Sequence, residues 1–312
     1  MKFEVEMIED KEITDIFKKI SDEKIDKIQQ VCERYGEEED EVRYYDVYEI
    51  ITSSGSKILK KTECREVLNY EKFLMNKHFS VPTYYGKWEK DNEFWILIEN
   101  ITGNDLRDMT DELAMAAADS ISEIQNAYWM NDEEEFAKNK ADDRFDVYWK
   151  RINKRYEYIK NEPIIGEAYS IFLRRQLTCP RTLSNGDFLE LNAIDHRNRV
   201  YIIDWGFGGI MPYSLDIARF LAHATVDRAT FPIYMSDNQK EIFIEKIYEK
   251  LIRKPEHSQY IYDIKLAILN EYVEFVEAGE DEDGWYYKHA LQLSKDILEI
   301  QNNSNYQIDE NF

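Results

Sequence analysis

Asp187 and Asn192 stand five residues apart in Ser184-Asn185-Gly186-Asp187-Phe188-Leu189-Glu190-Leu191-Asn192. A second acid, Asp204, ends the apolar run Val200-Tyr201-Ile202-Ile203, and a third opens Asp216-Ile217-Ala218. A carboxylate can take a proton from a reacting hydroxyl. A carboxamide oxygen and a further carboxylate are the hard donors that magnesium prefers. Such groups act only if the backbone holds them still. An apolar stretch after Asn192, a polar turn over residues 195–199 and a buried strand over residues 200–203 predict a hairpin between Asn192 and Asp204.

Asp-x-x-x-x-Asn, a hairpin and then Asp is the catalytic-loop layout of kinases. The stretch also resembles the aminoglycoside phosphotransferases and the related choline kinases. Their pattern is His-Gly-Asp-x-x-x-x-Asn, then Ile-Asp-Trp, then Asp-Leu-Ala. This chain reads Asn185-Gly186-Asp187, Ile203-Asp204-Trp205 and Asp216-Ile217-Ala218, so Asn185 replaces the family's loop-supporting His. The resemblance implies that Asp187 is the catalytic acid/base group and that Asn192 and Asp204 hold Mg2+. It implies that Asn185 and Asp216 support the loop.

The same resemblance reaches upstream. Val42 to Thr52 and Lys57 to Lys61 predict two strands around the turn Ser53-Ser54-Gly55-Ser56. Ile58-Leu59-Lys60 resembles the apolar-apolar-Lys strand end, which implies that Lys60 holds the α- and β-phosphates. Strand alternation puts Lys61 on the opposite face. Tyr70-Glu71-Lys72-Phe73-Leu74 ahead of Val81-Pro82 resembles the segment whose Glu orients that Lys, which selects Glu71 over Glu66. Phe94 to Ile98 is an apolar strand running into Glu99-Asn100-Ile101-Thr102-Gly103. By resemblance it is the hinge, with the Glu99 carbonyl and the Ile101 amide reading a nucleobase. Residues 11–30 read as helical, residues 29–36 as a first strand, and residues 37–41 as an acidic loop where the family places its nucleotide-covering turn.

The expected fold is α+β, a two-lobed protein-kinase-like architecture: a small N-terminal antiparallel sheet lobe over residues 1–101 and a larger helical lobe over residues 102–312. Helices are expected over residues 104–130, 148–172 with a break at Pro163, 217–225, 242–252, 260–278 and 285–300.

Lys and Arg number 40 against 63 Asp and Glu, a formal net charge of −23. Phosphate-rich partners would be repelled, which argues against nucleic acid and anionic membrane surfaces. No apolar run is long enough to cross a bilayer. Charges throughout residues 1–10 argue against a signal peptide. Cys32, Cys64 and Cys179 are few, odd in number and far apart, as in a reduced cytoplasmic protein.

The expectation is a phosphotransferase that moves the γ-phosphoryl of ATP or GTP to a hydroxyl of a small cationic acceptor, an aminoglycoside-like antibiotic first. Acid clusters at residues 132–146 and 280–283 suit a polycation. A choline- or ethanolamine-type kinase is the alternative, with Trp149, Trp285, Tyr286 and Tyr287 as candidates for an aromatic cage. Sugar kinases and a nucleotide-binding pseudokinase stand beside it.

Overall fold

The computed structural model describes residues 2–35, 41–137, 144–225 and 233–303. The chain divides into two compact units, Met1–Gly103 with Ile203–Phe207, and Asn104–Ile202 with Gly208–Phe312. A single cut after residue 101 therefore leaves out a second crossing, because the segment carrying Asp204 belongs with the N-terminal elements.

The first unit opens on β1 (Lys2–Met7), which alternates charged and apolar residues. That alternation is a strand signal as well as a run of charges. Helix α1 (Lys11–Ile20) buries Ile13, Ile16 and Phe17 on one face. Asp10 caps it by accepting from the Glu12 and Ile13 amides at 2.8 and 3.1 Å. The helix stops at Ser21, and β2 (Ile25–Tyr35) begins where helical text was expected to continue. Strands β3 (Glu41–Thr52) and β4 (Gly55–Thr62) form the expected hairpin. Helix α2 (Cys64–Asn69) passes into a π-helical turn, Tyr70–Leu74, and β5 (Tyr84–Lys90) and β6 (Glu93–Glu99) complete the unit.

The sheet is antiparallel in the order β1-β2-β3-β4-β6-β5. Alternation sends Tyr48, Ile50, Leu59, Trp95 and Leu97 into one apolar cluster with the buried face of α1. Lys60 lies on the other face. Gly86 has φ +151°, and a side chain there would meet Ile20 of α1 at 3.0 Å, so β5 can pass the helix only with glycine. The acidic stretch at residues 37–40 lies outside the described residues.

The second unit is mostly helical: β7 (Asn104–Asp105), α3 (Asp111–Tyr128), α4 (Glu133–Ala137), α5 (Arg144–Ile159), α6 (Pro163–Thr178), β8 (Arg181–Ser184), β9 (Ala193–His196), β10 (Arg199–Ile202), β11 (Gly209–Pro212), α7 (Ser214–Ala222), α8 (Asp237–Lys250), α9 (His257–Ala278) and α10 (Trp285–Asn303). Pro163 starts α6, where its missing N–H costs nothing. Facing side chains of α5, α6, α7, α9 and α10 make the main core. Inside it Arg175 grips Asp263 with two bonds of 2.7 and 2.8 Å, and Tyr213 donates to the same carboxylate at 2.8 Å. Strand β9 pairs with β7 and β10, and β8 pairs with β11. The β9–β10 turn is two residues, Arg197 and Asn198, both at positive φ, the backbone that matches strand twist in a tight hairpin. Among the described residues no helix is long and apolar enough to cross a membrane.

Candidate active site

In the first unit, β4 ends one turn before α2 and brings Lys60 to Glu66. The Lys60 Nζ lies 3.0 Å from Glu66 Oε2 and 2.9 Å from Asp204 Oδ1. Burial would lower the ammonium's pKa, but the two carboxylates outweigh it and the net shift is upward. Lys60 therefore stays charged, on the sheet face opposite the α1 core. Lys61 points away and pairs with Glu93 at 2.8 Å.

Glu71, chosen from sequence as the partner of Lys60, is elsewhere. It is exposed, accepts from Tyr84 Oη at 3.1 Å and pairs with Lys87 at 3.3 Å. The reason is helical phase. Glu66 and Asn69 are three apart and share the buried face of α2, whereas Glu71 falls in the π-helical turn, whose Tyr70, Phe73 and Leu74 take the buried positions. Proximity to the end of β4 was the available signal for Glu66.

Helix α2 also fixes the segment after Asp204. The Trp205 amide donates to Glu66 Oε1 at 3.3 Å, and Asn69 donates to the Trp205 carbonyl at 2.7 Å. Trp205 itself is fully buried. Asp204 has φ +56°, a left-handed conformation uncommon for anything but glycine, and the Trp205 anchors hold it there. Its side chain keeps 40% exposure. At the other end of β4, Asn100 donates to Glu49 and to Ser56, both at 2.9 Å. That ties down the turn between Glu99 and Ile101, the proposed base-reading pair; Ile101 is buried.

In the second unit, Asp187 lies in the loop after β8. Arg219 of α7 donates to its Oδ1 from Nε at 3.0 Å and from Nη2 at 2.8 Å. Asn192 Nδ2 donates to the Asp187 carbonyl at 2.8 Å and to Oδ2 at 3.0 Å. Asn185 is buried and accepts the Asp187 amide at 3.2 Å, a local turn that an Asn side chain makes readily. Asp216 sits under the loop. It accepts from Ser184 Oγ at 2.6 Å and from the Asn185 and Gly186 amides at 2.7 and 3.0 Å. Burial pushes its carboxyl up to about 6, against the pull of these bonds.

The sequence signal for Arg219 is its spacing: it follows Asp216 by three in a helix and so lies on the same face. Its partner Glu271 on α9 carries no local sequence signal.

Each unit by itself offers a donor of the kind magnesium takes. In the second, the Asn192 amide nitrogen is committed to Asp187, which leaves its carbonyl oxygen as a hard donor. In the first, Asp204 is a part-exposed carboxylate. Among the described residues there is no group of three or more His, Cys, Asp or Glu that could hold a metal ion.

The acid clusters have structural work. Glu135 pairs with Arg253 at 2.8 Å. Asp281 accepts the Tyr286 and Tyr287 amides at 2.8 and 2.9 Å, and Asp283 accepts the Trp285 amide at 3.1 Å. They thus cap the first turn of α10. Asp142 and Asp143 lie outside the described residues. Of the aromatic cage candidates, Tyr286 is fully buried, stacked on Phe275 at 4.6 Å with its hydroxyl 2.9 Å from His223, so it has no face for a ligand.

No family model matches the chain, and no curated protein matches it by sequence. Solved structures do match. An amicoumacin kinase solved with AMP-PNP and Ca2+ aligns at TM-score 0.53 and 14% identity, covering 86% of this chain and 88% of that one. A Plasmodium vivax ethanolamine kinase aligns at 0.51 and 11%, covering 95% and 82%. An aminoglycoside phosphotransferase from Alicyclobacillus acidocaldarius aligns at 0.50 and 11%, covering 93% of each chain. The fold is therefore the protein-kinase-like fold of small-molecule kinases.

Proposed function

We propose that the protein is a small-molecule phosphotransferase of the aminoglycoside phosphotransferase and choline kinase type. The observation that carries this reading is Lys60, held 3.0 Å from Glu66 and 2.9 Å from Asp204 across a sequence gap no local structure requires. A charged Lys braced by a buried Glu is how this fold grips nucleotide phosphates.

Lys60 binds the α- and β-phosphates of ATP or GTP, and Glu66 orients it. The Glu99 carbonyl and the Ile101 amide take the nucleobase edge. Asn192 and Asp204 would hold magnesium, which when bound neutralises charge on the phosphate oxygens. Asp187 orients the acceptor hydroxyl and receives its proton. The hydroxyl oxygen bonds to the γ-phosphorus, the bond from that phosphorus to the β–γ bridging oxygen breaks, and the nucleoside diphosphate leaves. Asp216 holds the loop that presents Asp187.

The acceptor is a small hydroxyl compound, cationic by the argument of net charge, with an aminoglycoside-like antibiotic first and an amino alcohol second. Capping by Asp281 and Asp283 removes part of the support for a polycation and leaves the charge of −23 as its main ground.

The reading is tested by nucleotide consumption with ATP or GTP and magnesium, against hygromycin B, choline, ethanolamine and sorbitol. Consumption that depends on one acceptor and stops with EDTA supports it. Magnesium-dependent nucleotide binding without turnover on a broad acceptor panel points instead to a nucleotide-binding pseudokinase. No nucleotide binding at all rejects both.

A further inference from the structure

A carboxylate offers about four lone-pair positions to donors. Three positions on Asp187 are filled among the described residues: two on Oδ1 by Arg219 Nε and Nη2, and one on Oδ2 by Asn192 Nδ2. The remaining position is on Oδ2. Which oxygen of Asp187 stays open is thus set by where the guanidinium sits.

The guanidinium is itself anchored. Its Nη1 donates to Glu271 Oε2 at 2.9 Å and lies 3.1 Å from His223 Nε2. Glu271 is 8% exposed as a side chain, His223 is fully buried, and Arg219 is 21% exposed. His223 Nδ1 is in turn 2.9 Å from Tyr286 Oη on α10. Burial would raise Glu271, but Arg219 and His223 together outweigh it and hold the carboxyl below its usual range. Burial pushes the His223 imidazole down, so the ring is a neutral wedge and Glu271 supplies the counter-charge. Arg219, Glu271 and Tyr286 sit on α7, α9 and α10, which pack into the second unit's core, and His223 directly follows α7. Taking a guanidinium and two carboxylates out of water is costly, and the fold carries that cost beside the one residue whose orientation the reaction needs.

We propose that Arg219, anchored by Glu271, is a positioning residue that occupies Oδ1 of Asp187 and so commits Oδ2 to the acceptor hydroxyl. This rests on the phosphotransferase reading and deepens it. Four of the five guanidinium N–H groups face Asp187, Glu271 and His223, which commits Arg219 to holding the carboxylate.

The test uses the full chain, magnesium ATP or GTP, and whichever of hygromycin B, choline, ethanolamine or sorbitol the wild type consumes. Arg219→Ala should lower kcat ~10²-fold, the scale for a reacting group displaced by about 1 Å, with the nucleotide KM unchanged. Millimolar guanidinium chloride should restore part of that loss, which a merely structural role would not allow. Arg219→Ala leaves Glu271 buried without its guanidinium partner, so the double variant Arg219→Gln with Glu271→Gln removes both charges and keeps a polar side chain at each position. It should show the same kcat loss while unfolding at a temperature near the wild type. A folded variant of either kind with the wild-type kcat, or an equal loss in nucleotide KM, overturns the inference. A wild type that consumes no nucleotide with any probe overturns the phosphotransferase reading and the inference with it.

Discussion

Lys60 and Asp204 meet at 2.9 Å although 144 residues separate them in sequence. The contact forms because β4 ends beside α2 and because α2 holds Trp205 by Glu66 and Asn69. One short helix therefore fixes both ends of the pair.

The consequence is a ranking of substitutions. Lys60→Ala should raise the nucleotide dissociation constant and lower turnover together. Glu66→Ala should do the same, since it frees Lys60 and the Trp205 amide at once. Glu71→Ala removes an exposed pair with Lys87 and should leave nucleotide binding within ~0.5 kcal/mol of the wild type. Isothermal titration with magnesium ATP and GTP measures all three. If Glu71→Ala proves as damaging as Lys60→Ala, the motif spacing was right and the geometry assigned to Glu66 is wrong.

The difference between Glu66 and Glu71 shows where sequence runs short. The loop from Ser184 to Asn192 and the strand end at Ile203-Asp204-Trp205 were legible as backbone features because local order along the chain sets them. The hairpin between them was legible from alternation. Glu66 was not, because a π-helical turn at Tyr70–Leu74 shifts the helical phase and puts Glu71 outward. Arg219 and Glu271 were not, because a buried ion pair between α7 and α9 joins residues 52 apart and leaves no periodic trace. Strand β1 is hard to read because half of its six residues are charged, and a short charged stretch also fits a solvated chain end.

Glu190, inside the loop between Asp187 and Asn192, predicts an unusual pH response. It is fully buried, and neither carboxyl oxygen makes a hydrogen bond among the described residues. Burial pushes it from its ordinary 4.5 up to about 8. The unfolded chain loses this proton near pH 4.5, while the folded protein keeps it up to about pH 8. Folding takes up a proton in that window, so this group's contribution to stability falls as pH rises from about 4.5 to about 8 and is level above it. Glu190→Gln removes the ionisation. It should match the wild type below pH 4.5 and exceed it by ~2–5 kcal/mol above pH 8 in urea unfolding. A difference that is constant across pH would contradict the buried, protonated carboxyl.

Net charge of −23 bears on the acceptor through salt. Attraction of a polycation to an acidic protein is screened as the Debye length shrinks from ~10 Å at 0.1 M salt to ~3 Å at 1 M. The apparent KM for an aminoglycoside should therefore rise steeply with ionic strength, and that for choline should rise little. Turnover with sorbitol alone, at any salt, would mean that the acids only solvate the surface.

The central claim is that Asp187 receives the proton of a hydroxyl during phosphoryl transfer. Asp187→Asn keeps the side chain's size but removes the base, and it replaces one of the two acceptor oxygens facing Arg219 and Asn192 with a donor. Measured side by side with the wild type, it should bind magnesium ATP or GTP with near-original affinity and transfer phosphoryl ~10²–10⁴-fold more slowly. A folded Asp187→Asn variant that keeps most of the wild-type transfer rate would contradict the account.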